Sequence, residues 1–271
     1  MRQERIHIRG AGNLLQLSTA YNLVKVPNIS NDALDAYASA VVYDALPKTL
    51  DAPAAFDVAW FIEFYLGLHI EYKRISGDRR ILAMTAFDTG FVQVYDEYGL
   101  ETLPLAVYEG TVIIDPVLME KRNLARRRFT FMHESAHWLI HRKAFDAENP
   151  FGTPGVFENQ YLAAKEGRID YCRGQKERTN NDRIERQADF LASAMLMPRE
   201  TLRMAYADFF QQFRERPRRI VRGKDYKDAC YAELLPEYVA ERFGVSKRAA
   251  MIRLEKLGAI IGRQDPRRYA W

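Results

Sequence analysis

Two histidines separated by three residues, with a glutamate directly after the first, occur in FTFMHESAHWLIH, residues 129–141. Residues four apart on a helix share a face, about 5–6 Å apart at Cβ, so His133 and His137 can reach one zinc ion at about 2.0–2.1 Å. Glu134 adjoins the first histidine, where it can hold a water on the ion without binding the metal itself. The spacing predicts a zinc site with a general base beside it.

A chance HExxH sequence is the alternative, with odds of about one in a hundred in a chain of this length. Three of the five histidines fall between positions 133 and 141, and apolar residues accompany them at helical spacing. A chance motif on a surface needs no such packed face. The apolar residues are Met132, Ala136, Leu139 and Ile140.

A catalytic zinc ion usually has a third protein ligand. His141 is the nearest candidate, but positions four apart drift about 40° around a helix. Its ring is therefore poorly placed to bind the same zinc ion as His133. Glu185 and Asp189 lie four apart in the helical pattern DRIERQADFLASAMLMP, residues 182–198. We expect Glu185 to be the oxygen ligand and Asp189 to accept a hydrogen bond from the far nitrogen of a ligand histidine. A solvated helix face is the alternative for this pair.

The segments RRRFTFMHESAHWLIH and IERQADFLASAMLMP resemble the ImmA/IrrE family of zinc metallopeptidases, within a resemblance that covers roughly residues 48–200. The shared features are an Arg-Phe-Thr approach to HExxH, a further histidine after an apolar stretch, and a second helix that ends in Leu-Met-Pro. Ala136 stands where the family usually has glycine, and Asp189 where it often has asparagine. The resemblance implies a gluzincin-like core, zinc as the cofactor and a protein substrate, which in the best understood members is a helix-turn-helix repressor.

The implied reaction is peptide hydrolysis, in which Glu134 takes a proton from water and passes it to the leaving amine. An oxyanion donor is also expected, and Tyr161 and Tyr171 are both available. Residues 111–114 form either an edge strand that pairs with an extended substrate or an ordinary core strand. The alternatives to an endopeptidase are a non-enzymatic DNA- or protein-binding regulator with a structural or vestigial metal site, and an antitoxin-like partner protein. The intact Glu134 favours the enzyme.

Periodicity predicts an α+β fold that is mainly helical, with a small, mostly antiparallel sheet and a zincin-like core. Helices are predicted over 31–46, 53–66, 116–145 with a break near position 123, 181–197, and most of 199–271, with Ser30 and Asp51 as possible N-caps of the first two. Alternating residues predict strands over 69–73, 81–87, 91–95, 105–108 and 111–114. Turns are predicted at 88–90 and at 109–110, the second as a hairpin.

We divide the chain into an N-terminal segment with a helix, 1–47, a metallopeptidase domain, 48–200, and a helical C-terminal segment, 201–271. A long insert, 146–180, interrupts the domain, with a short helix possible at 161–165. The C-terminal segment has a helix-turn-helix spacing, with Ser246 as the cap of the second helix and Arg253 among the basic residues available to phosphates. We expect it to pack on the catalytic core, with no nucleic acid as partner.

Composition excludes several other classes of protein. The chain has 271 residues, of which 48% are apolar and 28% charged, as in a folded protein of one or two domains. Cys172 and Cys230 are far apart, which excludes a disulfide scaffold and a cysteine-based zinc ribbon. The net charge of +4 permits contact with nucleic acid without requiring it. Because no apolar run is long enough for a membrane helix and no secretory signal is recognisable, a cytoplasmic location is expected.

Overall fold

The computed structural model describes residues 20–21, 27–146, 161–165 and 180–265. Its helices are α1 (Asn31–Ala45), α2 (Val58–Trp60), α3 (Leu124–Asp146), α4 (Asn180–Leu196), α5 (Arg199–Gln211), α6 (Tyr226–Phe243) and α7 (Lys247–Leu257). Its strands are β1 (Ala20–Tyr21), β2 (Pro27–Asn28), β3 (His69–Tyr72), β4 (Ile81–Ala86), β5 (Gly90–Tyr95), β6 (Thr102–Val107), β7 (Thr111–Ile114), β8 (Tyr161–Lys165), β9 (Ile220–Arg222) and β10 (Ile260–Gly262). The predicted α+β class, mainly helical with small, mostly antiparallel sheets, is confirmed.

The main sheet has four strands in the order β3-β7-β4-β8. Strand β7 is parallel to β3 and antiparallel to β4, and all four of its residues are buried. Of the two hypotheses for residues 111–114, the edge strand is therefore wrong and the core strand is correct. The edge strands of this sheet are β3 at one end and β8 at the other. The backbone of β8 pairs with β4 from Tyr161–Ala86 to Lys165–Ile81. The short helix considered for 161–165 is also wrong, because the open edge of β4 supplies backbone hydrogen bonds that favour a strand.

Strands β5 and β6 form a separate antiparallel hairpin, with Gly90 opposite Val107 and Tyr95 opposite Thr102. The hairpin predicted at 109–110 does not form, because β7 leaves β6 and joins the main sheet. The turn at 88–90 likewise connects strands of different sheets. Apolar burial explains this arrangement, since one face of the hairpin packs on the main sheet. The buried residues at this contact are Ile75, Met84, Ala86, Val92, Val94, Val107 and Ile113.

Helix starts are set by side chains that accept hydrogen bonds from the first free N–H groups. Ser30 accepts from the N–H of Ala33 at 3.2 Å, as predicted for the start of α1. The second helix begins later than predicted, at Val58, because Asp57 rather than Asp51 caps it. A π-helical turn, Phe61–Tyr65, completes that helix. The stretch after β7 forms two 3₁₀ turns, Pro116–Met119 and Lys121–Asn123, before α3 begins.

One large apolar core extends from Ile29 to Ile260 and includes residues of α1, α3, α4, α5, α6 and α7. It crosses both predicted domain boundaries, at 47/48 and at 200/201. The division into three segments stays a prediction, but the C-terminal helices share one core with α3 and α4. The insert predicted at 146–180 lies outside the described residues except for Asp146, β8 and the start of α4.

Helices α6 and α7 form the predicted helix pair, and Ser246 caps α7 by accepting from the N–H of Ala249 at 3.1 Å. Arg253 is buried, with 1% of its surface exposed. Its guanidinium pairs with the carboxylate of Asp35 on α1 and donates to the carbonyl of Met197. The suggestion that Arg253 faces phosphates is therefore wrong, because the ion pair holds it inside the protein.

A second arginine connects the C-terminal helices to the HExxH helix. Arg128, near the start of α3, donates to the carbonyl of Phe56 at 2.6 Å and to that of Phe243 at 3.4 Å. Phe243 is the last residue of α6, where a cation interacts favourably with the unpaired carbonyls and the helix dipole. The next residue, Gly244, has φ 63°, and an added Cβ would lie 3.1 Å from Nε of Arg128. Glycine therefore allows the close approach at this turn.

Candidate metal centre

Three potential metal ligands converge between α3 and α4. His133 and His137 come from α3 and Glu185 from α4, all are buried, and their ligand atoms lie within 4.8 Å of one another. The Nε2 atoms of the two histidines are 2.8 Å apart. Nε2 of His133 is 3.4 Å from Oε2 of Glu185, and Nε2 of His137 is 4.0 Å from Oε1. The structure thus brings together the three residues predicted as ligands.

The donor chemistry of this cluster fits a metal ion. Two imidazole nitrogens and a carboxylate oxygen form a ligand set found in catalytic zinc sites, which leave one position open. Nδ1 of His133 lies 2.9 Å from Oδ1 of Asp189. An ionised carboxylate only accepts hydrogen bonds, so the proton of the neutral imidazole is on Nδ1. The lone pair of Nε2 is then directed towards the other two ligand residues.

His141 is close to the cluster but is not among its ligand atoms. Its Nδ1 lies 3.0 Å from Nδ1 of His137, and its Nε2 lies 3.0 Å from Oε1 of Gln187 on α4. Both His141 and Gln187 are fully buried. His141 therefore contacts the nitrogen of His137 that does not face His133. Gln187 was missed, because residues two apart on a helix do not share a face with Glu185.

Glu134 is fully buried beside the cluster, and one of its oxygens is held by the main sheet. Thr85 of β4 donates to Oε2 at 2.5 Å. For the buried Oε1, no partner is found among the residues that the structure describes. Thr85 was missed by the sequence reasoning, although a threonine in the otherwise apolar strand ILAMTA was a weak signal. A buried carboxylate with one unused oxygen can accept a proton or hold a polar group.

Burial and neighbouring charges shift the protonation of the site. Burial raises the pKa of Glu134 to about 7, against the opposing effects of His133 and the Thr85 hydrogen bond. Burial lowers the pKa of His133, but the hydrogen bonds and charges of Asp189 and Glu185 outweigh it and hold that pKa well above its usual value. Burial lowers the pKa of His141 to about 4. A metal ion therefore competes with a proton at His133, whereas His141 is neutral near pH 7.

Residues adjacent in sequence to the site residues lock its three elements together. Trp138 of α3 stacks on Phe87, which follows β4, with ring centroids 6.1 Å apart and planes 7° apart. Ile184 of α4 completes this small apolar cluster. Each of these residues is one or two positions from a site residue, so this packing limits relative movement of Thr85, His137 and Glu185.

The side chains of the two candidate oxyanion donors, Tyr161 and Tyr171, lie outside the described part of the structure. Tyr171 is not among the described residues, and only the backbone of Tyr161 is described, as part of β8. The expected oxyanion donor therefore stays a prediction.

Among the described residues, no helix combines the length and the apolar composition needed to cross a membrane.

Comparison with known proteins adds one positive finding. The family model of the IrrE N-terminal-like domain, a peptidase family, matches residues 115–255. No curated protein and no solved structure matches the chain. The match begins later than the predicted resemblance, after the main-sheet strand β7, and continues through α5 and α6 into α7. It covers more than half of the 271 residues and agrees with the buried cluster of His133, His137 and Glu185. The chain therefore belongs to the peptidase family of the IrrE N-terminal-like domain.

Proposed function

We propose that this chain is a zinc-dependent endopeptidase that cleaves a regulatory protein, with a helix-turn-helix repressor of a phage or mobile element as the substrate. The observation that carries the proposal is the buried Glu134, next in sequence to His133, with one carboxylate oxygen held by Thr85 and the other unused among the described residues. A structural metal site requires no such carboxylate. A hydrolytic site requires one as its base.

In this proposal His133, His137 and Glu185 hold the zinc ion. When bound, zinc supplies Lewis-acid chemistry, polarising the scissile carbonyl and making water acidic enough to lose a proton near neutral pH. Asp189 orients the His133 ring through Nδ1, so that Nε2 is directed at the ion. The ligand residues come from two helices that share one core, and this supports a preorganised site.

Glu134 acts as the general base and then as the general acid. Its Oε1 accepts a proton from water, and the same oxygen returns that proton to the amine nitrogen when the peptide bond breaks. The hydrogen bond from Thr85 to Oε2 limits rotation of the carboxylate during these steps. With a pKa of about 7 in the metal-free chain, Glu134 can hold or release a proton near neutral pH.

The substrate backbone is proposed to extend along β8. This strand is at the end of the β3-β7-β4-β8 order, so one of its edges has no strand partner within the described part of the chain. Leu162 of β8 is opposite Thr85, the residue that holds Glu134. An extended peptide added to this edge would gain main-chain hydrogen bonds from the same sheet that holds the carboxylate of Glu134 through Thr85.

The proposal is tested by expressing the chain together with candidate helix-turn-helix repressors from the same genome. Wild type should cut the repressor, and Glu134→Gln should leave it whole, with a rate loss of about 10²–10⁴. The zinc content should stay the same, because Glu134 is not a ligand. Glu101→Gln, at an exposed glutamate of the β5–β6 connection, is the matched control and should cut like wild type.

The endopeptidase is supported if repressor fragments appear with wild type and with Glu101→Gln but not with Glu134→Gln. If wild type and Glu134→Gln change repressor activity equally and no fragment appears, the result contradicts the endopeptidase and favours the non-enzymatic regulator. Cleavage of the repressor by Glu134→Gln at the wild-type rate contradicts the role of Glu134 as the base.

A further inference from the structure

We propose that His141 is a positioning residue for the metal centre, and that Gln187 on α4 positions His141 in turn. In this arrangement His141 holds the His137 ring in the tautomer that directs Nε2 at the metal. The inference rests on the metal site of the proposed function. It assigns a task to two fully buried polar side chains that the proposed hydrolysis does not itself use.

The first step concerns the two nitrogens of His137. Its Nε2 lies 2.8 Å from Nε2 of His133, so this is the nitrogen on the ligand side of the ring. Its Nδ1 lies 3.0 Å from Nδ1 of His141. A neutral imidazole that binds a metal through one nitrogen carries its hydrogen on the other. The Nδ1–H of His137 therefore donates to Nδ1 of His141.

The second step concerns the tautomer of His141. Since its Nδ1 accepts, its own hydrogen is on Nε2, which lies 3.0 Å from Oε1 of Gln187. The other tautomer of His141 would place two N–H groups against each other and leave the glutamine oxygen without this donor. Because all three side chains are fully buried, solvent does not easily replace either hydrogen bond. The amide oxygen thus selects the state of both rings.

The third step compares the two ligand histidines. Asp189 holds His133 directly, whereas Gln187 holds His137 through His141, so α4 orients both rings. The partner of His133 is a carboxylate, whereas the hydrogen bonds that begin at His137 end on the neutral amide of Gln187. Glu134, Glu185 and Asp189 already supply three carboxylates to this buried site. A neutral relay orients the second ligand without burying a fourth negative charge, which would cost free energy.

The test measures the affinity of the purified protein for zinc alone, by competition with a coloured chelator, and therefore does not depend on peptidase activity. The variants are His141→Leu, which removes the acceptor, His141→Asn, whose Oδ1 can accept near the position of Nδ1, and Gln187→Leu, each checked by unfolding without metal. His69→Leu, at an exposed histidine on β3, is the matched control.

We expect His141→Leu to weaken zinc binding about 10–100-fold, as for other residues that hold a ligand histidine. His141→Asn should recover most of this loss. Gln187→Leu should weaken binding when His141 is present but add nothing in the His141→Leu background, because it acts through that ring. His69→Leu should bind zinc like wild type. In long-range ¹H–¹⁵N spectra of the zinc-loaded wild type, His141 should carry its hydrogen on Nε2.

Three results would overturn the inference alone: unchanged zinc affinity in His141→Leu, equal losses in His141→Leu and His141→Asn, or independent, additive losses for His141 and Gln187. A hydrogen on Nδ1 of His141 in the zinc-loaded protein would overturn it as well. If His141→Leu does not fold, the zinc affinities of His141→Asn and Gln187→Leu and the spectra of the wild type still test the role of His141. A wild-type chain that binds no zinc would instead overturn the metal site and the proposed function with it.

Discussion

Oδ1 of Asp189 lies 2.9 Å from Nδ1 of His133, across the contact between α4 and α3. The same helix α4 carries Glu185, whose Oε2 lies 3.4 Å from Nε2 of that histidine. One imidazole therefore has a carboxylate beside each of its nitrogens, and the two carboxylates are one helical turn apart on α4. Because these side chains are buried between the two helices, the packing of α4 on α3 is what brings His133, His137 and Glu185 together.

Glu185→Ala should remove the proposed oxygen ligand and weaken zinc binding by more than the 10–100-fold typical of residues that only orient a ligand. Wild type should contain about one zinc per chain by metal analysis. Glu233→Ala, at an exposed glutamate of α6, is the control and should keep its zinc. Full zinc content in Glu185→Ala at micromolar protein would show that another residue is the third ligand.

Thr85→Val should slow hydrolysis and move its acidic limit to higher pH. The hydrogen bond from Thr85 lowers the pKa of Glu134, so its loss raises that pKa and the ionised base appears only at higher pH. Zinc affinity should not change, because Thr85 does not contact the ligand atoms. The measurement is the pH profile of kcat/KM. Thr201→Val, at a buried threonine that donates to the Pro198 carbonyl, should leave that profile unmoved.

The stability of the metal-free chain should depend on pH through Glu134. Its pKa rises from 4.5 to about 7 on folding, so the folded chain favours the protonated form. The resulting stability is present below pH 4.5 and is lost as the pH rises through 7. Glu134→Gln should match wild type near pH 4.5 and be more stable by up to about 3 kcal/mol at pH 8. Chemical unfolding at both pH values, with chelator present, checks this. A stability difference that does not vary with pH would contradict it.

Asp35→Ala should destabilise the whole fold, because it leaves the Arg253 guanidinium buried without its carboxylate. Breaking a buried ion pair from one side costs about 3–5 kcal/mol. Asp32→Ala removes a side chain that is 92% exposed and pairs with Arg199, so it should change stability little. Denaturant unfolding of both variants makes the comparison. Equal losses in the two variants would mean that Arg253 does not depend on Asp35.

Deletion of residues 246–271 should prevent correct folding of the remaining chain. Helix α7 contributes buried residues to the same core as α1 and α4, and its Arg253 pairs with Asp35 and bonds to the carbonyl of Met197. The shortened chain should therefore bind zinc poorly and lack a cooperative unfolding transition, measured by circular dichroism. A shortened chain that folds and binds zinc like wild type would show that the rest of the fold does not depend on α7.

The sequence alone determined the features that depend on residues close together in the chain. His133 and His137 share a face because a helix has 3.6 residues per turn, and the same reasoning grouped Glu185 with Asp189. Local hydrogen bonding likewise predicted the caps at Ser30 and Ser246, both of which form. The fold class followed from changes in hydrophobic period along the chain. The expectation that Glu185 meets the histidines came from its spacing to Asp189 on a second helix, and the resemblance supported it.

Only the tertiary structure decided which distant segments meet. A strand pattern does not specify its partners, so β5 pairs with β6 while β7 leaves β6 to lie between β3 and β4, where all four of its residues are buried. The hydrogen bonds from Thr85 to Glu134, from His141 to Gln187 and from Arg253 to Asp35 join residues 46 to 218 positions apart. Such contacts have no local signature. They form because groups buried by the packing of helices and sheet must find hydrogen-bond partners within the protein.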